Sequence, residues 1–532
     1  MESGVEPIKV KKLEEPQWWK RIGQGLKEDV NRRFPYYLSD YTDGLKGKNT
    51  LHKVFAITLF LYFSILLPVI ATGALNALFT NGQIGVYQLL MSEIIGGLSW
   101  TFLSGQPLVI ISNSMVVAVY NKVIYDLAQN IEVDFLSLYA CTGLWSSLFL
   151  VLYAIFNVSN IIKNLKRSIK EIYTCFVVLA FIKGAIGNTE KDFNERTRAE
   201  SLFSILLMIG TYWLALKLLQ IKSTQFFNGQ IRELVADYAV PVAIISTSLV
   251  SNLVFQDMTL STFEYNPDTR TSNFNFIDFT QLNLTGILVS GGLGFCLSIV
   301  FFMSQSVTMA MVDCPEHNLQ KGSAYHWDLV VLALINGTMG MFGIPFLHAI
   351  IPHSPLQAKG LADTVQTEDG RIVITRVRET RIVNLLLHIL FAISLLFLPY
   401  VLPYCPISVL SGLFLYLAYN ALNSTQFYGR IKLFFSEKIA YPTYATEVPT
   451  RVLHTFTFLQ IVQVVILSFF GFAPWPQVRM FFPLIVFLFF LFRQKVWPRV
   501  FKLEHLKNSY YNQGSPSDRE KGTIWKYSRN LL

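Results

Sequence analysis

Charge is scarce in this sequence. Lys, Arg, Asp and Glu make up 15% of its 532 residues, against 52% apolar residues. A soluble domain of this length needs far more polar surface, so an ordinary water-soluble fold is excluded. Cysteine is sparse too. Cys141, Cys175, Cys296, Cys314 and Cys405 contain no CxxC pair and mostly lie in apolar segments, which argues against a disulfide framework or a zinc site. No glycine-rich phosphate loop is present, and nothing else indicates an ATP-driven pump. No nucleophile–base set or metal-ligand cluster falls inside the apolar segments, so no enzyme, cofactor or metal is expected.

What is abundant is long apolar runs. A membrane span needs about 20 such residues. Runs fall near 54–73, 84–104, 105–125, 134–157, 172–185, 201–219 and 238–255, then near 284–303, 327–341, 342–352, 382–400, 406–425, 454–472 and 477–492. The reading is an all-α polytopic membrane protein of 14 transmembrane segments. The first seven-span series occupies 51–255 and the second 282–495, separated by a polar loop at 256–281. An odd number of spans per half makes the second half enter the membrane from the opposite side, which is the inverted-repeat arrangement.

The net charge of +9 first suggests nucleic acid, but the basic residues sit mainly between runs and in the tails. Membrane topology explains them better, and no nucleic-acid partner is expected. Lys163, Lys166, Arg167 and Lys170 follow the fourth run, while the 256–281 loop carries Arg270 against Asp257, Glu264, Asp268 and Asp278. This places the 1–50 segment and the 496–532 tail in the cytosol and the 256–281 loop outside. Asn283-Leu284-Thr285 is a glycosylation sequon at the edge of that loop. The polar 1–33 stretch and the length of the first apolar run lead to the expectation of no cleavable signal peptide.

Two apolar segments are interrupted at matching places. One reads Ser104-Gly105-Gln106-Pro107-Leu108-Val109-Ile110-Ile111-Ser112-Asn113, the other Gly340-Met341-Phe342-Gly343-Ile344-Pro345-Phe346. Broken helices in corresponding halves point to a transporter site, because their unsatisfied backbone groups must face a cavity rather than lipid. Facing N-terminal ends would attract an anion without any lysine or arginine. The expected amide donors are Ser112, Asn113, Ser114 and Met115 in the first segment and Phe346, Leu347 and His348 in the second. The alternative is that Pro107 and Pro345 merely kink packed helices. His353, just past the second break, is either a site residue or a solvated interface residue. Asp328 reads as a proton relay with His326 or, in preference, as a cap and interface pair at the start of its span, and Arg381 as a headgroup anchor or the partner of a nearby carboxylate such as Glu379.

These residues resemble the bicarbonate/anion exchanger family, and within it the borate exporters of plants and fungi. The similarity runs from about Asn31 to Phe492. It rests on Arg32-Arg33-Phe34-Pro35-Tyr36-Tyr37-Leu38-Ser39-Asp40-Tyr41, Gly105-Gln106-Pro107-Leu108, and the stretch from Asn318 to Asp328. Gly343-Ile344-Pro345, Ile351-Pro352-His353-Ser354-Pro355-Leu356 and Glu379-Thr380-Arg381-Ile382 complete it. The resemblance implies a seven-plus-seven fold in which a core domain (spans one to four and eight to eleven) moves against a gate domain, commonly as a homodimer. It also implies an anion site between the two half-helices, with Ser304, Gln305 and His353 as polar wall residues.

The chain departs from the family pattern at the site itself. Ser112, Met115 and Val116 stand where the family usually has a glycine and then a Gly-Pro or Glu-Pro pair. Ser304 stands where the eighth span normally presents an acidic residue, and Phe346-Leu347-His348-Ala349 replaces small polar residues of the borate subgroup. His353 falls where animal exchangers carry an arginine, and is expected to donate a hydrogen bond to an oxyanion. The expected function is a secondary-active transporter of a small inorganic anion, borate or bicarbonate, in the plasma membrane or an internal membrane such as the vacuole. The rivals are a non-transporting membrane scaffold, and a carrier of sulfate or a nucleobase.

Overall fold

The computed structural model describes residues 22–47, 50–159, 167–221, 224, 226–262, 276–351, 353–366, 372–423, 425–437, 449–475, 478 and 481–497. Lys163, Lys166, the 263–275 part of the loop and the tail beyond 497 lie outside them. Short helices α1 (Gln24–Arg33) and α2 (Ser39–Thr42) precede α3 (Thr50–Phe79), α4 (Val86–Leu103), α5 (Met115–Asn130), α6 (Phe135–Ile155), α7 (Arg167–Glu195), α8 (Arg198–Gln220), α9 (Gly229–Asp237) and α10 (Ala239–Leu249). The second half holds α11 (Leu284–Val312), α12 (Tyr325–Met341), α13 (His353–Gly360), α14 (Ile382–Val401), α15 (Ile407–Asn423), α16 (Gln426–Leu433), α17 (Thr450–Phe472) and α18 (Phe482–Lys495).

Fourteen spans are expected from the apolar runs. Among the described residues six helices are long and apolar enough to cross a membrane alone, or seven if the bent pair α15–α16 counts as one. The runs at 105–125 and 342–352 differ most from their expected helical form. Residues 104–114 are largely extended before α5, and 342–351 are non-helical before α13. Pro107 biases Gln106 away from the helical region, while Gly343 turns with φ +65° just past α12. The expected all-α architecture also gains two short antiparallel strand pairs. These are β1 (Ile111–Ser112) with β2 (His348–Ala349), and β3 (Ala362–Gln366) with β4 (Ile372–Val377).

Local signals set several helix starts. Asp134 caps α6 by accepting from Ser137 N at 2.8 Å, and Asn283 caps α11 by accepting from Gly286 N at 2.7 Å. The sequon asparagine therefore spends its side-chain oxygen on a helix end. Thr197 and Glu200 form a reciprocal capping box at α8.

Packing links the halves crosswise. α6 lies against α11 and α12, while α14 lies against α3 and α4. A second group forms where α15 packs on α7 and α8, with α17 on α7 and α18. The main apolar cluster includes Trp100, Tyr139, Phe301, Phe346 and Phe391, and smaller ones form around Phe456 with Trp497 and around Val178 with Ala418 and Ala421.

Beneath the first group sits a buried charge cluster. Asp40 receives Arg33 at 3.0 Å, Lys321 at 2.8 Å and Arg381 at 3.2 Å. Arg33 also reaches Glu379 at 3.2 Å, and Glu379 accepts the amides of Gln320 and Lys321 at 2.7 and 3.0 Å. Arg381 is thus not a headgroup anchor, and the nearby carboxylate it pairs with is Asp40 rather than Glu379. It donates to Thr101 O and Ser104 O at 2.8 and 2.7 Å, so its cation meets the carbonyl end of α4. Asp328 does not cap its own helix either. Asp29 does that, accepting from His326 N at 2.7 Å and Trp327 N at 3.3 Å.

Candidate functional site

The two interrupted segments cross in the middle of the first helix group. Ile111 pairs with Ala349 and Ser112 with His348, and Ile350 N donates to Ile110 O at 3.1 Å. Extended backbone inside an apolar core needs partners for every polar group. The first segment finds them on four helices. Asp328 accepts from Gly105 N at 2.5 Å and Gln106 N at 3.2 Å. Trp100 Nε1 and Asn384 Nδ2 donate to Val109 O at 2.9 and 3.1 Å. Ile110 N donates to Ser354 Oγ at 3.0 Å, and Asn113 N to Glu93 Oε1 at 2.7 Å. The second segment is held by neutral groups. Phe346 N donates to Tyr139 Oη at 3.1 Å, and Asn336 both accepts from Leu347 N at 2.9 Å and donates to Leu347 O at 2.8 Å.

These contacts place each expected site residue. Ser112 and Asn113 turn toward Glu93, with Ser112 Oγ donating to it at 2.6 Å and Asn113 Nδ2 reaching Ser92 Oγ at 2.6 Å. Ser114 is the N-cap of α5 and meets His348 Nε2 at 2.6 Å. His348 Nδ1 lies 2.9 Å from Ala349 O, a bond that requires the proton on Nδ1. His348 Nε2 is then an acceptor, and Ser114 donates to it. Met115 opens α5, and its amide and that of Val116 have no acceptor within the helix.

Phe346 and Leu347, expected at a helix tip, lie in extended chain before α13 with their amides taken. Phe346 stacks on Tyr139 with ring centroids 4.3 Å apart, and Phe301 of α11 covers both Phe346 and His348. The helix begins instead at His353. Its Nε2 donates to Ser64 O at 3.1 Å, so a neutral ring leaves Nδ1 as an acceptor, which has no partner among the described residues. The expected hydrogen bond donated to an oxyanion is therefore already spent on Ser64. Ser304 is bonded to Tyr173 at 2.7 Å. Gln305 is buried with neither amide atom partnered among the described residues. Phe301, Gln305 and Thr308 share one face of α11 by helical spacing.

Glu93 is the functional candidate that sequence reasoning passed over. It is the only charged residue in the run 84–104 and is fully buried. A lone carboxylate inside a span is a signal in itself. Glycines of the same helix admit its neighbours: a Cβ on Gly96 would lie 2.4 Å from Leu347 Cδ1, and one on Gly97 within 2.1 Å of the His388 ring.

A cavity of about 480 Å³ opens beside α5 and reaches its first turn at Met115 and Val116. Its far wall is α7.

The architecture matches solved membrane transporters. The transmembrane domain of a cyanobacterium bicarbonate transporter superposes with a TM-score of 0.52 at 13% identity, covering 80% of this chain and 98% of that one. The family described as HCO3- transporter integral membrane domain matches residues 21–200 and 187–509. Human Solute carrier family 4 member 11 is 38% identical over 543 aligned residues, 91% of this chain and 62% of that protein. Human Band 3 anion transport protein is 28% identical over 474 residues, 83% of this chain and 51% of that protein. The chain thus spans less than two thirds of the length of these relatives. It belongs to the HCO3- transporter integral membrane domain family and is a multi-pass membrane protein.

Proposed function

We propose that this chain is a secondary-active transporter of a small inorganic anion, taking bicarbonate or borate by alternating access. The observation that carries the reading is the antiparallel pairing of β1 with β2, which brings the starts of α5 and α13 to one crossing inside the membrane. Helix starts present unsatisfied amides and a positive dipole end, which favour an anion. The name of the human band 3 relative, an anion transport protein, supports the same class.

The substrate preference follows from His353. A neutral ring whose Nε2 donates to Ser64 O offers an acceptor at Nδ1. Bicarbonate and borate carry hydroxyl groups that can donate to it, whereas sulfate and chloride have none. Gln305 adds an amide that can both donate and accept. Ser304, tied to Tyr173, acts as wall.

In this reading the fourteen segments form a seven-plus-seven inverted repeat, with spans at 51–255 and 282–495. The crosswise group around the crossing is the core, and the group around α7 and α15 is the gate. Both tails lie in the cytosol, the protein works as a homodimer, and the plasma membrane is its site.

Full-length protein in liposomes tests the proposal. Bicarbonate and borate gradients are expected to run down faster than in protein-free liposomes, with sulfate retained. Cells carrying the chain are expected to retain less boron than cells without it. Equal leakage of every anion with and without protein removes the proposal.

A further inference from the structure

The cavity beside α5 holds a charge that the anion-site reading does not use. Lys183 lines it, together with Met115 and Val116 of α5 and Phe472 of α17, and so do Lys191 and the carboxylate Asp192 further along α7. The candidate span runs from Glu171 to Glu195, so Lys183 stands at its midpoint with 12 residues on either side. The last part of that helix is polar, Asn188-Thr189-Glu190-Lys191-Asp192, so Lys183 lies inside the apolar run at 172–185 and roughly 7 Å of helix rise before the polar part begins. A lysine there is costly unless it faces a polar or water-filled space.

Lys183 faces the cavity. Its side chain is exposed in the folded chain, and its ammonium lies 4.6 Å from the centroid of the Phe472 ring on the cavity wall. The neighbouring Gly184 fixes how close α7 comes to the crossing. A Cβ there would lie 3.3 Å from Met115 Cε, at the first residue of α5, and 3.5 Å from the Phe414 ring. The fixed cation and the helix start therefore share one end of the cavity, from opposite helix groups. Most of the remaining wall is apolar.

We propose that Lys183 is a charge-selecting residue of the access cavity, drawing a small monovalent oxyanion toward the first turn of α5. This rests on the transport reading above and adds to it the residue that sets apparent affinity. The site residues named from the sequence supply only dipoles and neutral side chains. Lys183 supplies a full positive charge from the facing wall, where the chain has Ser304 in place of an acidic residue on α11.

The test uses full-length protein in liposomes with bicarbonate as the probe. Lys183→Met keeps an unbranched apolar chain over Phe472 but removes the charge. It is expected to raise the bicarbonate concentration for half-maximal flux about tenfold, with a smaller change in maximal rate. Lys183→Arg is expected to stay near the parent value. Lys183→Cys gives a second variant whose charge is set chemically. Reaction with a methanethiosulfonate bearing trimethylammonium is expected to restore the parent value, and one bearing sulfonate to weaken it further, with the unsubstituted chain as background.

An unchanged half-saturation in Lys183→Met, or equal effects of the two reagents, overturns the inference while leaving the transport reading intact. If the parent protein carries no bicarbonate flux, the transport reading fails instead. Lys183 is then decided by how fast Lys183→Cys reacts with the cationic reagent. Slowing by bicarbonate supports an anion at this residue, and identical rates overturn it.

Discussion

At Asp40, the side chains of Arg33, Lys321 and Arg381 converge on one carboxylate within 3.2 Å, and Glu379 takes further donors alongside. At the crossing of β1 and β2, by contrast, buried polar atoms stand without partners among the described residues: Glu93 Oε2, Gln106 Nε2, His353 Nδ1, and both amide atoms of Gln305 and Gln357. Both regions are equally buried, so burial is not the difference. One neutralises its charges locally, and the other keeps polar capacity in reserve. Unmatched polar groups cost stability wherever they sit. Such atoms also occur elsewhere among the described residues, as at Arg33 Nε, Ser204 and Ser408, so those at the crossing fit the proposed site without by themselves defining it.

The largest way to break this contrast is to remove the hub of the charge cluster. Asp40→Ala leaves three buried cations short of a carboxylate, with side-chain exposures of 4%, 9% and 2% for Arg33, Lys321 and Arg381. Breaking a buried pair in this way costs about 3–5 kcal/mol. Loss of the folded, monodisperse species after detergent extraction is the expected result. An Asp40→Ala protein that melts like the parent would mean the cluster contributes nothing to the fold.

A smaller effect is expected at Glu93, where scaffold and crossing meet. Ser112 Oγ, Asn113 N and Asn113 Nδ2 all reach the same carboxylate oxygen, and Glu93→Leu strands the first two while Asn113 Nδ2 keeps Ser92 Oγ. Each buried donor left unpaired costs about 1–3 kcal/mol. Glu93→Gln keeps a carbonyl oxygen in that place, so its melting temperature is expected to fall much less. Equal losses in the two variants would show that shape rather than hydrogen bonding matters there.

Much of this was legible in the sequence, and the rest for definite reasons was not. The breaks were readable because Gly105, Pro107, Gly343 and Pro345 act on the local backbone. The resumption of the second helix at His353 was not, since His353-Ser354-Pro355-Leu356-Gln357 reads as polar loop and only burial among α3 and α11 makes it a helix. The family landmarks around Arg33, Lys321 and Glu379 were plain as strings. Their joining in one cluster depends on contacts across hundreds of positions, such as Arg33 with Glu379. Arg33 looked like part of a basic cytosolic segment, yet its charge is consumed by Asp40 and Glu379. Glu93 was visible as a lone charge, but its three donors come from a segment whose fold the sequence does not reveal.

Close packing at the crossing offers a third and milder perturbation. A Cβ at Gly97 would lie 2.1–2.4 Å from His388 ring atoms, too close to coexist without movement of α4 or α14. Gly97→Ala is expected to cost about 1–3 kcal/mol by overpacking. Adding His388→Ala to that variant empties the space and is expected to recover most of the lost melting temperature. No recovery in the double variant would place the strain elsewhere.

The smallest expected stability effect is the sharpest test of the contrast. Gln357 is fully buried in α13, one turn after His353, and neither of its amide atoms has a partner among the described residues. His353, Gln357 and Gly360 share a helical face, and Gly360 abuts Ile57 of α3 while His353 bonds Ser64 of the same helix. Gln357→Leu replaces an unsatisfied amide with an apolar group of similar volume, a change that is neutral or stabilising when the polar group serves only packing. Its melting temperature is therefore expected to hold or rise. If the reserve of polar atoms serves the anion, bicarbonate flux in liposomes is expected to fall about tenfold in the same protein, the loss of roughly one good hydrogen bond to a charged ligand. A variant that keeps both its melting temperature and its flux would dissolve the distinction, leaving Gln357 an ordinary buried residue. A variant that loses stability would show that its amide is satisfied in the folded protein, and the crossing would then resemble the Asp40 cluster after all.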